Sequence, residues 1–250
     1  MRGSVGRGSG AVNLKRLGLV NGWFARLSQH LLPACCVLCG GSGQRDLDLC
    51  QPCRDGLPHN TSCCARCALP LAAPAAECGA CIRRPPAFDA AFAPFRYDYP
   101  LDRLVQRLKF SADLAAGQVL GRLLALHLDP AAIACDALVP VPLHRSRLRA
   151  RGFNQAQELA RPLAGALGLR CRPGWLARAR DTAAQSGLDA PARRRNVRAA
   201  FAAHAGVAGR RIALLDDVST TGATARECAR VLKRAGATRV VLLSVARAAA

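Results

Sequence analysis

The chain has 250 residues and a mass of 26.4 kDa, enough for one or two domains with a sizeable core. Apolar residues make up 51% and charged residues 21%, which excludes a chain disordered throughout, and no apolar run approaches the roughly 18 residues of a membrane span. Lys and Arg number 36 against 16 Asp and Glu, a formal charge of +20, and only Lys15, Lys109 and Lys233 are lysines. So basic a chain points toward polyanionic partners, although codon bias also produces an Ala- and Arg-rich composition.

Residues 1–45 contain no Asp or Glu. Leu14, Leu17, Val20, Phe24, Leu27 and Leu31 recur at helical spacing with Lys15, Arg16 and Arg26 between them, which predicts an amphipathic helix behind a Gly/Ser/Arg-rich tail. A helix packing on its own protein is the simpler reading; one lying on a membrane surface or on nucleic acid is the sharper. No apolar stretch of secretory-signal length precedes Cys35.

Ten of the thirteen cysteines then fall between Cys35 and Cys81. The set Cys35, Cys36, Cys39, Cys50 and Cys53 becomes Cys63, Cys64, Cys67, Cys78 and Cys81 on adding 28 to each number, so the segment is an internal duplication. Each half carries C-x2-C, ten residues, and C-x2-C. A C-x2-C turn presents two sulfurs to one tetrahedral ion, and a second turn completes a four-thiolate zinc site. Disulfides would need an oxidising compartment. So short a segment with few large apolar residues needs metal to fold. The simplest assignment gives one ion Cys36, Cys39, Cys50 and Cys53 and the other Cys64, Cys67, Cys78 and Cys81; spacing alone leaves an interleaved pairing open. Two such centres would bring the net charge from +20 to about +16. Closed four-sulfur sites are structural, not catalytic.

From Phe88 onward the pattern becomes α/β. Residues 88–99 alternate as an extended hairpin, and 101–128 carry a helical repeat broken near 111–113. Ala137-Leu138-Val139-Pro140-Val141 reads as a buried strand, 154–167 as a helix closed by Gly168, 212–215 as a strand, 224–234 as a helix ending at Gly236, and 239–245 as a strand. Such alternation predicts a parallel sheet with helices on both faces.

The segment 212–224 concentrates the chemistry. A four-residue apolar strand is followed by Asp216 and Asp217, then by the turn Val218-Ser219-Thr220-Thr221-Gly222-Ala223-Thr224, which opens a helix. Ligands of open parallel sheets bind at the carboxyl ends of strands, and a hydroxyl-rich turn at a helix N-terminus offers N–H groups and the positive dipole end to phosphate. The two carboxylates are placed to accept hydrogen bonds from sugar hydroxyls or to help hold Mg²⁺. Together these features describe a ribose phosphate. The bland alternative is that the acids cap the helix and the threonines satisfy their own backbone.

This segment resembles the phosphoribosyl-pyrophosphate loop of type I phosphoribosyltransferases. With the cysteine repeat, Lys109-Phe110, Val139-Pro140-Val141-Pro142, Arg151-Gly152-Phe153-Asn154-Gln155 and the stretch Gln185…Arg193-Arg194-Arg195-Asn196-Val197…Phe201, the chain resembles the ComF family. The resemblance implies an α/β fold, a parallel-sheet type I phosphoribosyltransferase domain over 85–250. It also implies a small Cys-rich double zinc ribbon over 34–84, behind a basic extension over 1–33. It implies that Asp216 and Asp217 hold the ribose hydroxyls, with Asp217 facing charge that develops at the anomeric carbon. Ser219, Thr220, Thr221, Gly222, Ala223 and Thr224 would wrap the 5-phosphate. The turn after Pro142, assisted by Arg151, would approach the pyrophosphate, and Gln185 and Arg193 would lie in a closing hood. Cys35, Cys63 and the N-terminal extension are outside the family pattern.

Pyrophosphate displacement needs cations around the leaving group, and residues 140–200 hold thirteen arginines against Glu158, Asp181 and Asp189. The five histidines (His30, His59, His127, His144, His204) show no metal spacing. The leading expectation is Mg²⁺-dependent phosphoribosyl transfer from phosphoribosyl pyrophosphate to an unidentified nitrogenous acceptor, a step of nucleoside metabolism. The alternative, from another class, is a single-stranded DNA-binding accessory of DNA uptake, against which stands a total of only eleven aromatic residues. The resemblance implies a cytoplasmic competence role beside a helicase-like partner.

Overall fold

The computed structural model describes residues 34–44, 46–181 and 190–249. The segment 14–31 and Gln185 therefore lie outside the described residues. Two short helices, α1 (Gln51–Asp55) and α2 (Gly79–Arg83), belong to the cysteine repeat. The remainder forms β1 (Ala90–Phe92), β2 (Phe95–Arg96), α3 (Leu101–Ser111), α4 (Leu114–Leu126), α5 (Pro130–Ile133), β3 (Ala137–Pro140), α6 (Arg145–Arg151), α7 (Gln155–Leu167) and β4 (Arg170–Cys171). Then follow β5 (Leu176–Arg178), α8 (Ala190–Val197), β6 (Phe201–Ala203), β7 (Arg211–Ser219), α9 (Ala223–Arg234) and β8 (Arg239–Arg247).

The principal sheet runs β1-β8-β7-β3-β4 and every pairing in it is parallel. The hairpin expected over 88–99 does not form. Both β1 and β2 pair with β8 in the same direction, Ala90 beside Val241 and Phe95 beside Ala246. Ala93 and Pro94 separate them, and proline has no N–H for the ladder, so one edge strand is interrupted and not reversed. β5 and β6 form a separate antiparallel pair.

Alternation along the central strands sorts the core into two layers. Ala213, Leu215, Val241 and Leu243 face α3, α4 and α7, whereas Ile212, Leu214, Val240 and Leu242 face α9. Sequence signals mark the helix ends on the first face. Ala112 takes a left-handed conformation after α3, and Asp113 then caps α4 by accepting from Ala116 N at 3.0 Å. Asn154 caps α7, and Gly168 closes it at φ 63°. At the α4–α7 crossing a Cβ on Gly121 would stand 2.5 Å from Pro162 Cγ, so only glycine permits this approach.

The duplicated ribbon straddles the sheet. Cys36, Leu47, Leu49 and Leu57 of the first unit pack into the α3/α4/α7 layer, and Cys64, Cys67, Cys78 and Cys81 of the second into the α9 layer.

Candidate functional site

Between β3 and β7 the winding of the chain reverses. After β3 the chain moves outward to β4, then returns to lay β7 against the opposite side of β3 and continues to β8. Such a switch point leaves a crevice beyond the strands' carboxyl ends. The segments lining it are Pro140, Val141 and Pro142 on one side and 216–224 on the other, held in register by Pro140 against Leu215 and by Val141 N donating to Leu215 O at 2.8 Å.

β7 is longer than its apolar run, continuing through both aspartates to Ser219. The carboxylates therefore belong to the strand, not to the turn after it, and project to opposite faces. Asp217 points to the α3 side, is 4% exposed, and meets Lys109 Nζ at 2.8 Å; its Oδ1 accepts from Val218 N at 2.7 Å. Burial disfavours the Lys109 charge, but the carboxylate of Asp217, with Asp216 behind it, outweighs burial and holds the ammonium above its usual value. Asp216 is partly buried on the α9 side, beneath which lies Cys228. Desolvation first, and the neighbouring Asp217 charge second, push the Asp216 carboxyl up to about 7.

The turn then enters α9 through Gly222 at φ +70°, a conformation open to glycine without cost. Thr221 Oγ1 accepts from Ala223 N at 3.4 Å, and Thr224 sits in the first turn of α9. A twelve-residue helix thus begins at the crevice with its N-terminal amides toward it. Beneath the turn lies Arg247, 7% exposed, whose guanidinium donates to the carbonyls of Ser219 at 2.9 Å and of Thr220.

Opposite, Asn154 Nδ2 donates to Val141 O at 3.1 Å, fixing the end of β3 to α7. Arg151 donates to Gln155 Oε1 at 2.7 Å and lies over the Phe110 ring, 6.0 Å from its centroid. That brings the end of α6 against the residue following Lys109. His144, just past Pro142, accepts from Ser146 N through Nδ1 at 3.3 Å and so caps α6, with Asp181 Oδ2 3.2 Å from the same nitrogen and Ser146 Oγ donating to that carboxylate at 2.7 Å. Arg193 falls in α8, and its side chain lies outside the described residues.

Neither Lys109 nor Arg247 was assigned a role from the sequence pattern. Lys109 carries two signals without a role attached: it stands in Lys109-Phe110, one of the stretches of the family resemblance, and it is a lysine in a chain that uses arginine almost throughout. Arg247 carries another, a cation two residues beyond the strand expected over 239–245.

The eight paired cysteines resolve into two groups, Cys36, Cys39, Cys50 and Cys53, and Cys64, Cys67, Cys78 and Cys81, with all Sγ atoms of each group within 4.8 Å of one another. The units do not interleave. A tetrahedral zinc with bonds of about 2.3 Å requires sulfurs about 3.8 Å apart. Cys39 and Cys50 stand 3.7 Å apart and Cys67 and Cys78 3.8 Å, so both groups fit the ion. Cys35 and Cys63 belong to neither group.

Comparison with known proteins agrees with this architecture. A family model described as double zinc ribbon domain matches residues 27–82. The DNA utilization protein YhgH of Salmonella typhimurium is 36% identical over 204 residues, 80% of this chain and 90% of that protein. Competence protein F of Haemophilus influenzae is 34% identical over 193 residues, 74% of this chain and 84% of that protein. Among solved structures, the glutamine phosphoribosylpyrophosphate amidotransferase from B. subtilis aligns with 52% of this chain and 26% of its own, at 25% identity and a TM-score of 0.37. Relatives of this identity span most of the chain, and a double zinc ribbon precedes its parallel α/β domain: the chain belongs to the ComF family, with competence protein F and YhgH.

Proposed function

We propose that the crevice at the ends of β3 and β7 binds phosphoribosyl pyrophosphate, accompanied by Mg²⁺, and transfers its phosphoribosyl group to a nitrogenous acceptor. The observation that carries this reading is the segment 216–224: two carboxylates at a switch point, followed by a Gly222-hinged, hydroxyl-rich turn into a twelve-residue helix. The turn takes the 5-phosphate, and the Asp216 and Asp217 carboxylates take the ribose hydroxyls. Lys109 holds the Asp217 carboxylate in place until those hydroxyls compete for its oxygens. In the reaction a nitrogen lone pair forms the new bond to the anomeric carbon, the bond from that carbon to oxygen breaks, and pyrophosphate leaves with the electron pair. The Asp217 carboxylate opposes the positive charge developing on the sugar, and Arg151 stands on the pyrophosphate side. Mg²⁺ would neutralise the departing diphosphate.

Calorimetric titration of phosphoribosyl pyrophosphate and Mg²⁺ into zinc-replete protein tests the reading, with wild type beside Asp216→Asn and Thr221→Ala. Saturable binding that weakens at least about tenfold in the variants supports it, the scale of one charge-assisted hydrogen bond. A folded, zinc-replete wild type that binds nothing refutes it.

A second reading has its own support. A cavity of about 660 Å³ is lined by Arg84, Arg195, Arg198, Arg226, Arg230 and Arg234, with Glu227 as its carboxylate. Another, of about 610 Å³, has exposed Tyr99 and Phe110 beside Arg103 and Arg107. Cations beside exposed aromatic side chains suit a single nucleic-acid strand, in keeping with the DNA utilization for which the relatives are named. Affinity for single-stranded DNA that falls steeply with salt supports this reading, and no binding at low salt removes it.

A further inference from the structure

The two metal centres differ in what they touch. Near the first, Arg107 donates to Val37 O and pairs with Asp113 at 2.6 Å, contacts that join the ribbon to α3 and α4. The second centre instead meets the phosphate turn at both of its ends. Arg247 Nε donates to the carbonyl of the ligand residue Cys67 at 3.3 Å, while Nη1 of the same guanidinium holds Ser219 O, Thr220 O and Ala248 O. On the far side, Arg226 donates to Arg84 O at 2.7 Å and approaches Cys81 Sγ at 3.9 Å, while its own N–H closes on Gly222 O at 2.9 Å.

Electrostatics gives these contacts a direction. Arg247 is buried, and no carboxylate among the described residues pairs with it. An unpaired buried cation is costly. Four thiolates around Zn²⁺ leave a net charge of −2, so a filled second centre supplies the counter-charge that no acid provides. The guanidinium is drawn to the centre, and its other hydrogens are then fixed on the start of the turn. By holding the carbonyl of a ligand residue, Arg247 acts as an outer-shell partner that helps fix that ligand in place.

We propose that Arg247 is a positioning residue that couples the second zinc centre to the phosphate turn, so that metal in the centre orders the turn and a phosphorylated ligand in the turn slows loss of the metal. The second half rests on the proposed binding of phosphoribosyl pyrophosphate; the first half stands without it. Linkage makes the coupling reciprocal in affinity: if metal in the centre favours the ordered turn, a ligand that binds the ordered turn raises the affinity for metal, and slower release to a chelator is its kinetic readout.

The test uses the full-length, zinc-replete protein without ligand, comparing wild type with Arg247→Gln and Arg247→Lys. Zinc content and hydrogen exchange over 137–140 report that each variant is folded. Exchange over 217–227 reports the turn and the first turn of α9. Arg247→Gln is expected to exchange there about tenfold faster than wild type, the scale of one lost charge-assisted hydrogen bond. Arg247→Lys, which keeps the charge but reaches fewer carbonyls, falls between. Zinc release to a chromogenic chelator quickens in Arg247→Gln, and phosphoribosyl pyrophosphate slows it several-fold in wild type only. A folded variant, Gln or Lys, with wild-type exchange over 217–227 and wild-type zinc release overturns the proposal. Calorimetry on the same samples separates the two ideas. Wild type that binds the ligand with unchanged zinc release overturns the coupling. Wild type that binds no ligand overturns the ligand reading, and the exchange result still decides whether Arg247 couples centre and turn.

Discussion

The Lys109–Asp217 pair offers the most direct measurement of how the site is held. At 2.8 Å and an effective dielectric near 20, the gross attraction is about 6 kcal/mol. Most of that is offset by the cost of withdrawing both charges from water. Removing one partner of a buried pair typically costs about 3–5 kcal/mol, because the other charge stays behind unpaired. The Asp217 side chain is 6% exposed but that of Lys109 is 22%, so water relieves part of the loss and the lower end, about 3 kcal/mol, applies. Lys109→Met keeps the aliphatic stem and removes only the charge. Urea unfolding of zinc-replete protein at pH 7 should show this loss, and the double variant Lys109→Met/Asp217→Asn should recover at least about 1 kcal/mol of it, since no unpaired charge remains. Lys109 titrates above its ordinary 10.5 in the folded state, so its contribution is complete at pH 7 and declines only as the pH rises through that raised value. A single variant within about 0.5 kcal/mol of wild type, or strictly additive effects, would show that the pair does not hold the site.

Three further outcomes can be checked independently. Asp216 has its pKa raised from 3.8 to about 7, so the folded state binds its proton more tightly than the unfolded state and stability is lost as the pH climbs through this range; Asp216→Asn should therefore gain on wild type at pH 8, by about 1–3 kcal/mol, with the gap closing toward pH 4. Cys35→Ser/Cys63→Ser should retain two zinc ions per chain by metal analysis, whereas Cys39→Ser should lose one, because only the latter belongs to a four-thiol group. Gly121→Ala forces a methyl against Pro162 and should cost about 1–3 kcal/mol by urea unfolding, with no change in zinc content.

Much of the fold was legible because the informative residues act locally. The break between α3 and α4, the Asn154 and Gly168 ends of α7, and the strand at Ala137 each depend on capping or on an apolar run that a few neighbours define. The cysteine repeat was readable for the same reason, although its pairing needed coordinates: a spacing of 28 fits separate and interleaved units equally. The errors came where long-range contacts decide. Alternation in 88–99 is compatible with a hairpin or with an edge strand, and only the neighbouring β8 selects the parallel pairing. Polar residues at 216 and 217 look like the end of a strand, yet β8 continues alongside and carries the pairing through Ser219 to Arg247. That extension turns two adjacent acids into groups on opposite faces with different partners, a distinction composition cannot make. Lys109 and Arg247 escaped assignment because each acts on residues more than twenty-five positions away, Lys109 on Asp217 and Arg247 on Ser219.

Duplication of the ribbon has a geometric reason in this fold. A parallel sheet with helices on both faces has two separate apolar layers, and an element entering at the β1 edge must cover the ends of both. One small metal-held unit has too little apolar surface to reach across the sheet, so two copies serve one layer each, joined by residues 54–62, and the second copy leads into β1. The equivalence is nevertheless broken by what lies beneath. Under the first copy are α3 and α4, reached through Arg107; under the second are the turn 219–222 and α9, reached through Arg247 and Arg226. Identical cysteine spacing has thus been put to unequal use. The first unit secures the helix that delivers Lys109, and the second secures the turn that would receive phosphate, so the two copies support the site from opposite faces of the same strand, β7.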